Sequence, residues 1–247
     1  MISNKILATG KFRPDDLQIT LSDSTRKINP QIEARVESAW QELQDKAQAE
    51  HRICYNGISY RLNSLVVENG KLKIDLGLLE FKLRAGLLLI PEYFDLSEEY
   101  FHKGCYSGVT VRTSDGKYIV VELSGKSMNT HKTDLLGGII EKPLEIKNGY
   151  DLFECMYAEL REEAGIGKDE VSKCYLRAVY VSKKTLVGFY FEVVLNINSE
   201  ALLGRFDKEN EDQDIKSLKI LTKEEYAIFL QNHTASTKQL ILSLLSI

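Results

Sequence analysis

Three glutamates near the end of one amphipathic segment constrain this chain more than any other feature. Residues 137–166 read GGIIEKPLEIKNGYDLFECMYAELREEAGI. Leu152, Phe153, Met156 and Leu160 recur at helical spacing and form an apolar stripe. Glu159, Glu162 and Glu163 stand three and four residues apart, so they project from one neighbouring face of the same helix. Gly165 is placed to end it, because glycine tolerates the left-handed conformation that often closes a helix. Like charges at this spacing repel by roughly 0.2–0.5 kcal/mol per pair, and acids sit badly at the negative end of the helix dipole. A hard divalent cation would offset that cost, since Mg²⁺ takes oxygen ligands and keeps waters that it can activate or share with phosphate. The ordinary alternative is a solvated acidic face.

Composition narrows the rest. The 247 residues allow one large domain or two small ones. A net charge of −4 gives no general reason to bind nucleic acid or an anionic membrane. There is no apolar run long enough to span a bilayer, and MISNKILATGKF lacks a signal-peptide core. Cys54, Cys105, Cys155 and Cys174 are scattered without a CxxC pair, which favours reduced, mostly buried thiols and a cytoplasmic location.

In chain order, strands are expected at Lys5–Lys11 and Leu17–Leu21, separated by Arg13-Pro14-Asp15-Asp16. Asn29 is a candidate N-cap with Pro30 at the first helical position, and Ile32, Val36, Trp40 and Leu43 carry one helix to about Ala49. Trp40 belongs to its core stripe. Ser59–Glu68 and Lys71–Leu76 flank Asn69-Gly70, the strongest hairpin signal present. Leu78–Ile90 has mixed helical character. Tyr106–Thr113 and Lys117–Leu123 form a second hairpin about Ser114-Asp115-Gly116, and Cys174–Ser182 and Leu186–Asn196 are expected central strands. A short helix at Ser199–Leu203, a strand at Ser217–Leu221, a capping box at Thr222/Glu225 and a last apolar helix complete the reading. In the polar loop after Gly125, Lys126, His131 and Lys132 are candidate phosphate contacts, although most such loop cations only face solvent.

The run Glu159-Leu160-Arg161-Glu162-Glu163-Ala164-Gly165-Ile166, with Gly137-Gly138 upstream, resembles the signature of the Nudix hydrolase superfamily, Arg-Glu-apolar-any-Glu-Glu-any-Gly-apolar behind a glycine-opened loop. Two departures stand out. Ala158 occupies the usual arginine position, and the loop from Gly138 to the helix is longer than the family's spacing. Lys142 or Lys147 would then have to orient the ligand carboxylates. VESAWQELQDKAQ and YRLNSLVVENGKLKIDLGLLEFKLRAG further resemble the N-terminal extension of a Nudix branch that hydrolyses UDP-glucose and UDP-galactose, a branch whose signature is also degenerate with a lengthened loop. The usual Gly-Thr-Asn after Gly86 is absent.

The resemblance implies an α/β fold, a Nudix-type α/β/α sandwich with a mixed sheet over residues 104–247, preceded by a small α+β domain over residues 1–103. It implies Mg²⁺, or Mn²⁺ in its place, on Glu159, Glu162, Glu163 and the Gly138 carbonyl, with the three glutamates also catalytic. A late acidic loop would supply a further carboxylate from Glu211, Asp212 or Asp214, with Asp214 preferred from the Asp-Ile-Lys-Ser-Leu register. Phe81, Lys82 and Lys126 are the expected substrate contacts. The implied ligand is a small nucleotide sugar, neither nucleic acid nor membrane. Two alternatives stay open: hydrolysis of ADP-ribose or another nucleoside diphosphate compound, and a catalytically silent Nudix module that binds a ligand or a protein.

Overall fold

The computed structural model describes residues 5–23, 26–52, 54–124, 133–142, 144–182, 185–209 and 215–232, without side chains for 207–209. Its main element is a mixed seven-stranded sheet. The first strand, β1 (Lys5–Phe12), forms one edge. The short β2 (Leu17–Leu21) leaves for a second sheet after a 3-10 turn at Pro14–Asp16. Next come two helices, α1 (Pro30–Glu33) and α2 (Val36–Ala49). Asn29 caps the first as expected, its side chain accepting from the N–H groups of Gln31 and Ile32. The single helix expected here is instead broken at Ala34 and Arg35, which form a turn.

The hairpin β3 (Ile58–Glu68) and β4 (Lys71–Glu80) turns at Asn69 and Gly70, with φ of 50° and 75°. Both central residues take the positive φ that suits a tight hairpin turn. β4 pairs with β3 on one side and, in parallel, with β2 on the other, giving a three-stranded sheet. The mixed stretch Leu78–Ile90 resolves into the end of β4 and a separate helix, α3 (Phe81–Leu88).

β5 (Cys105–Arg112) and β6 (Tyr118–Leu123) form the second hairpin, followed by a two-residue strand, β7 (Thr133–Asp134). The glutamate-bearing helix is α4 (Gly149–Ala164). β8 (Val171–Val181), β9 (Val187–Leu195), α5 (Ser199–Glu209), β10 (Ile215–Leu221) and α6 (Lys223–Asn232) follow. α5 is longer than the Ser199–Leu203 expected. The last apolar helix expected lies outside the described residues.

Sheet order is β1-β8-β9-β5-β6-β10, with β7 also on β6. β9 pairs with β5 in parallel and every other pair is antiparallel. On one face, Leu152, Phe153, Met156 and Leu160 of α4 pack with Val109, Val111, Leu176, Phe189 and Phe191. The rings of Phe153 and Phe191 meet edge to face, 5.1 Å apart. On the other, Tyr226 and Leu230 of α6 cover Tyr118, Val120, Ala178, Tyr180 and Tyr190. The result is an α/β/α sandwich, as expected. Leu72, Ile74 and Leu76 of β4 join the α4-side core. α1, α2 and α3 with the segment to Phe101 bury a smaller cluster, and Trp40 meets Phe81 edge to face at 5.9 Å.

Candidate active site at the diglycine turn

α4 is positioned at both ends by its own sequence. Asn148 accepts from the N–H groups of Tyr150 and Asp151, while Asp151 accepts from that of Asn148. Gly149 lies so close to the Pro14 carbonyl that a Cβ would stand 2.1 Å from it. Gly165 ends the helix at φ 64°. The apolar stripe is thereby pinned to the sheet, and Glu159 and Glu163, one turn apart, face the segment 137–138.

That segment is built from β5. The Ser107 N–H donates to the Gly138 carbonyl at 2.8 Å, and the Gly138 N–H donates to Ser107 Oγ at 3.3 Å. Gly137 has φ 125°, and a Cβ there would stand 2.4 Å from the Ser107 carbonyl oxygen, so only glycine fits. Its N–H donates to Glu163 Oε2 at 2.7 Å. At Gly138 a Cβ would meet Glu159 Oε2 at 2.6 Å. The carboxylate of Glu159 therefore lies over one glycine and that of Glu163 is bonded to the other. Glu162 is exposed.

The long connection from Gly138 to α4 is organised by β5 and β3. Ile139 bridges Tyr106 and Glu141 bridges Ser59, while the Tyr60 N–H donates to the Ile140 carbonyl. The buried Tyr60 hydroxyl then donates to the Leu144 carbonyl at 2.7 Å and accepts from the Ile146 N–H at 3.1 Å. The extra loop length thus adds a strip between the two sheets, beside the direct bridge of Arg61 to Gly104.

The donors at the turn, two carboxylates and a backbone carbonyl, are all oxygen and suit a hard cation in kind. Among the described residues no group of three His, Cys, Asp or Glu side chains is gathered to hold an ion. Asp214, Glu211, Asp212, Lys126, His131 and Lys132 lie outside the described residues. Lys147 pairs with Glu145 at 2.7 Å, and the exposed Lys142 donates its N–H to the Ile58 carbonyl. Lys82 pairs with Glu37 at 2.7 Å. Cys155, one turn before Glu159, has its thiol pushed up to about 12 by burial and then by the Glu159 charge, so it stays protonated.

Ser107 and Arg84 do not stand out in the sequence, although each has a signal there. Ser107 interrupts the inward register of Cys105, Val109 and Val111, and Arg84 stands three residues after Phe81 on one helix. The Arg84 guanidinium lies 5.8 Å from the Phe81 ring centroid. Burial lowers it to about 10, still cationic at neutral pH.

No helix among the described residues is long and apolar enough to cross a membrane. No family model matches the chain, and no curated protein matches it. Solved structures do match. A Nudix hydrolase from Nitrosomonas europaea is 16% identical, covering 57% of this chain and 86% of its own, with a TM-score of 0.38. An Ap4A hydrolase from C. elegans in a binary complex is 17% identical, covering 58% and 98%, with a TM-score of 0.38. The protein Tm1382 is 11% identical, covering 82% and 96%, with a TM-score of 0.42. Likeness of this size does not carry an activity from one chain to another.

Proposed function

We propose that the chain is a metal-dependent pyrophosphatase of the Nudix type that hydrolyses a nucleoside diphosphate sugar, UDP-glucose or UDP-galactose, to UMP and sugar 1-phosphate. The observation that supports this reading is the closure of Glu159 and Glu163 on Gly137 and Gly138. The sugar nucleotide itself rests on the sequence resemblance of the N-terminal part. In this reading residues 104–247 carry the hydrolase and residues 1–103 the substrate-facing extension, with Phe81 and Lys82 at its edge and Lys126 reaching from the polar loop. β1 is then a strand that the extension lends to the large sheet.

Mg²⁺ or Mn²⁺ would be held by Glu159, Glu162, Glu163 and the Gly138 carbonyl, and when bound it supplies charge neutralisation and a water of lowered pKa. The rest falls to the chain. Ser107 fixes the Gly138 carbonyl, to which its own N–H donates, and holds that residue's N–H through Oγ. The Gly137 N–H fixes Oε2 of Glu163 against the turn, and Asp214 would be the acid that accepts a proton from water. The absent side chain at Gly138 lets the Glu159 carboxylate close on the backbone there.

Ala158 in place of arginine, and the lack of a gathered three-ligand group among the described residues, favour a second reading, a silent binding module. A panel of UDP-, ADP- and GDP-linked compounds with Mg²⁺, products separated by chromatography, distinguishes them. Cleavage of UDP-sugars that collapses in Glu163→Gln supports the first reading. Preferential cleavage of ADP-ribose moves the substrate within the same chemistry, and no turnover of any compound supports the second.

A further inference from the structure

α3 carries a cation, Arg84, that makes no ion pair among the described residues. Nη1 of Arg84 is closed off from solvent and has no hydrogen-bond acceptor. Glu141, the acid that acts on it electrostatically, is bonded to the Tyr55 hydroxyl at 2.9 Å. Lys82, two residues earlier on the same helix, is already paired with Glu37. A second mostly buried guanidinium, Arg61, donates from Nε to the His102 carbonyl at 3.3 Å, and the two arginines both bear on the His102 ring. That ring is neutral: Nδ1 accepts from the Gly104 N–H at 2.9 Å, and burial holds its pKa well below the ordinary value. The cluster therefore gathers Arg84, Arg61 and the Glu33-paired Arg26 around a neutral ring.

A guanidinium nitrogen shut off from water without an acceptor is costly, and the Phe81 ring beside Arg84 does not supply one. Its place is informative. The side-chain Cδ of Arg84 stands 3.3 Å from where a Cβ on Gly104 would be, at the start of β5. The Glu141 charge favours the cationic form of Arg84. Tyr106 and Glu141 border the segment that begins at the diglycine turn: Tyr106 bridges Ile139, and Glu141 lies at its far end. The planar fork of a guanidinium matches the paired oxygens of a phosphate.

We propose that Arg84 is an anion-binding residue on α3, beside the start of β5, that takes an oxygen pair of a diphosphate-bearing ligand. The inference rests on the proposed function only for the diphosphate; an oxyanion receptor at Arg84 does not require that the ligand be hydrolysed.

The probe is inorganic pyrophosphate without metal, titrated by calorimetry into the full chain and into Arg84→Met, Arg84→Lys and Glu163→Gln. Loss of one bidentate charge-assisted contact should weaken binding about tenfold or more in Arg84→Met. Arg84→Lys should fall between, keeping charge but losing the fork. Glu163→Gln should bind at least as tightly as the parent. Equal affinity of parent and Arg84→Met, or no binding to the parent, overturns the proposal. Should Arg84→Met fail to fold, Arg84→Lys decides, and parent-like affinity there overturns it as well. Pyrophosphate binding that needs Arg84 in a chain that cleaves no nucleotide sugar would sink the enzymatic reading alone. Cleavage with an unchanged KM in Arg84→Lys would sink the Arg84 assignment alone.

Discussion

The backbone N–H of Gly137 donates to Glu163 Oε2 at 2.7 Å, tying the last turn of α4 to the turn that precedes it by 26 residues. A glutamine at 163 could still accept that hydrogen bond through its amide oxygen while losing the charge. Structure and chemistry can therefore be separated at this position.

Gly137 should not tolerate a side chain. Its φ is 125°, and the Ser107 carbonyl oxygen lies 2.4 Å from where a Cβ would stand, which leaves no room for alanine. Gly137→Ala should lose about 1–3 kcal/mol or more in urea unfolding. Gly108→Ala is the control, since nothing lies within 4 Å of the place its Cβ would take, and it should stay within about 0.5 kcal/mol of the parent.

Tyr60→Phe removes the hydroxyl that serves both the Leu144 carbonyl and the Ile146 N–H. Leaving these groups without their partner should cost about 1–3 kcal/mol. Amide exchange should quicken at Ile146 while the α4 interior keeps its protection.

The Asp115 carboxyl is held down to about 2, first by the Thr113 hydroxyl and then by Ser199, whose N–H and hydroxyl both donate to it at the start of α5. A carboxyl depressed in the folded state stabilises above its unfolded pKa, near 3.9, and that stability fades as pH falls toward about 2. Solvent exposure keeps its size to about 1 kcal/mol or less. Asp115→Asn should flatten this part of the acid-unfolding curve. An unchanged curve would contradict the assignment.

Truncating Phe153, which meets Phe191 edge to face between α4 and the sheet, should cost about 3–5 kcal/mol as Phe153→Ala in chemical unfolding. A loss below about 1 kcal/mol would mean that α4 is not anchored through this ring.

Local chemistry made much of this fold readable. Gly165, Asn69-Gly70, Asn29-Pro30 and the Thr222/Glu225 box each act within a few residues, and each does what its residue type predicts. Pairing across the chain was not readable. β1 lies on β8, so Lys5 opposes Val181, and no local pattern names a partner that distant. The break at Ala34 and Arg35 was hidden because the apolar positions keep helical spacing on both sides. At the site, spacing placed Glu159 and Glu163 on one face, but their approach to Gly137 and Gly138 depends on Ser107, a strand residue on another element. Arg84 was masked by Lys82, the more exposed cation of the same helix.

The most direct test is the release of UMP and sugar 1-phosphate from UDP-glucose with Mg²⁺, followed by ³¹P NMR for the parent, Glu159→Gln and Glu163→Gln at matched thermal stability. The account predicts that both variants fold as the parent does and lose turnover by about a hundredfold or more. Parent-like cleavage by both variants would contradict it.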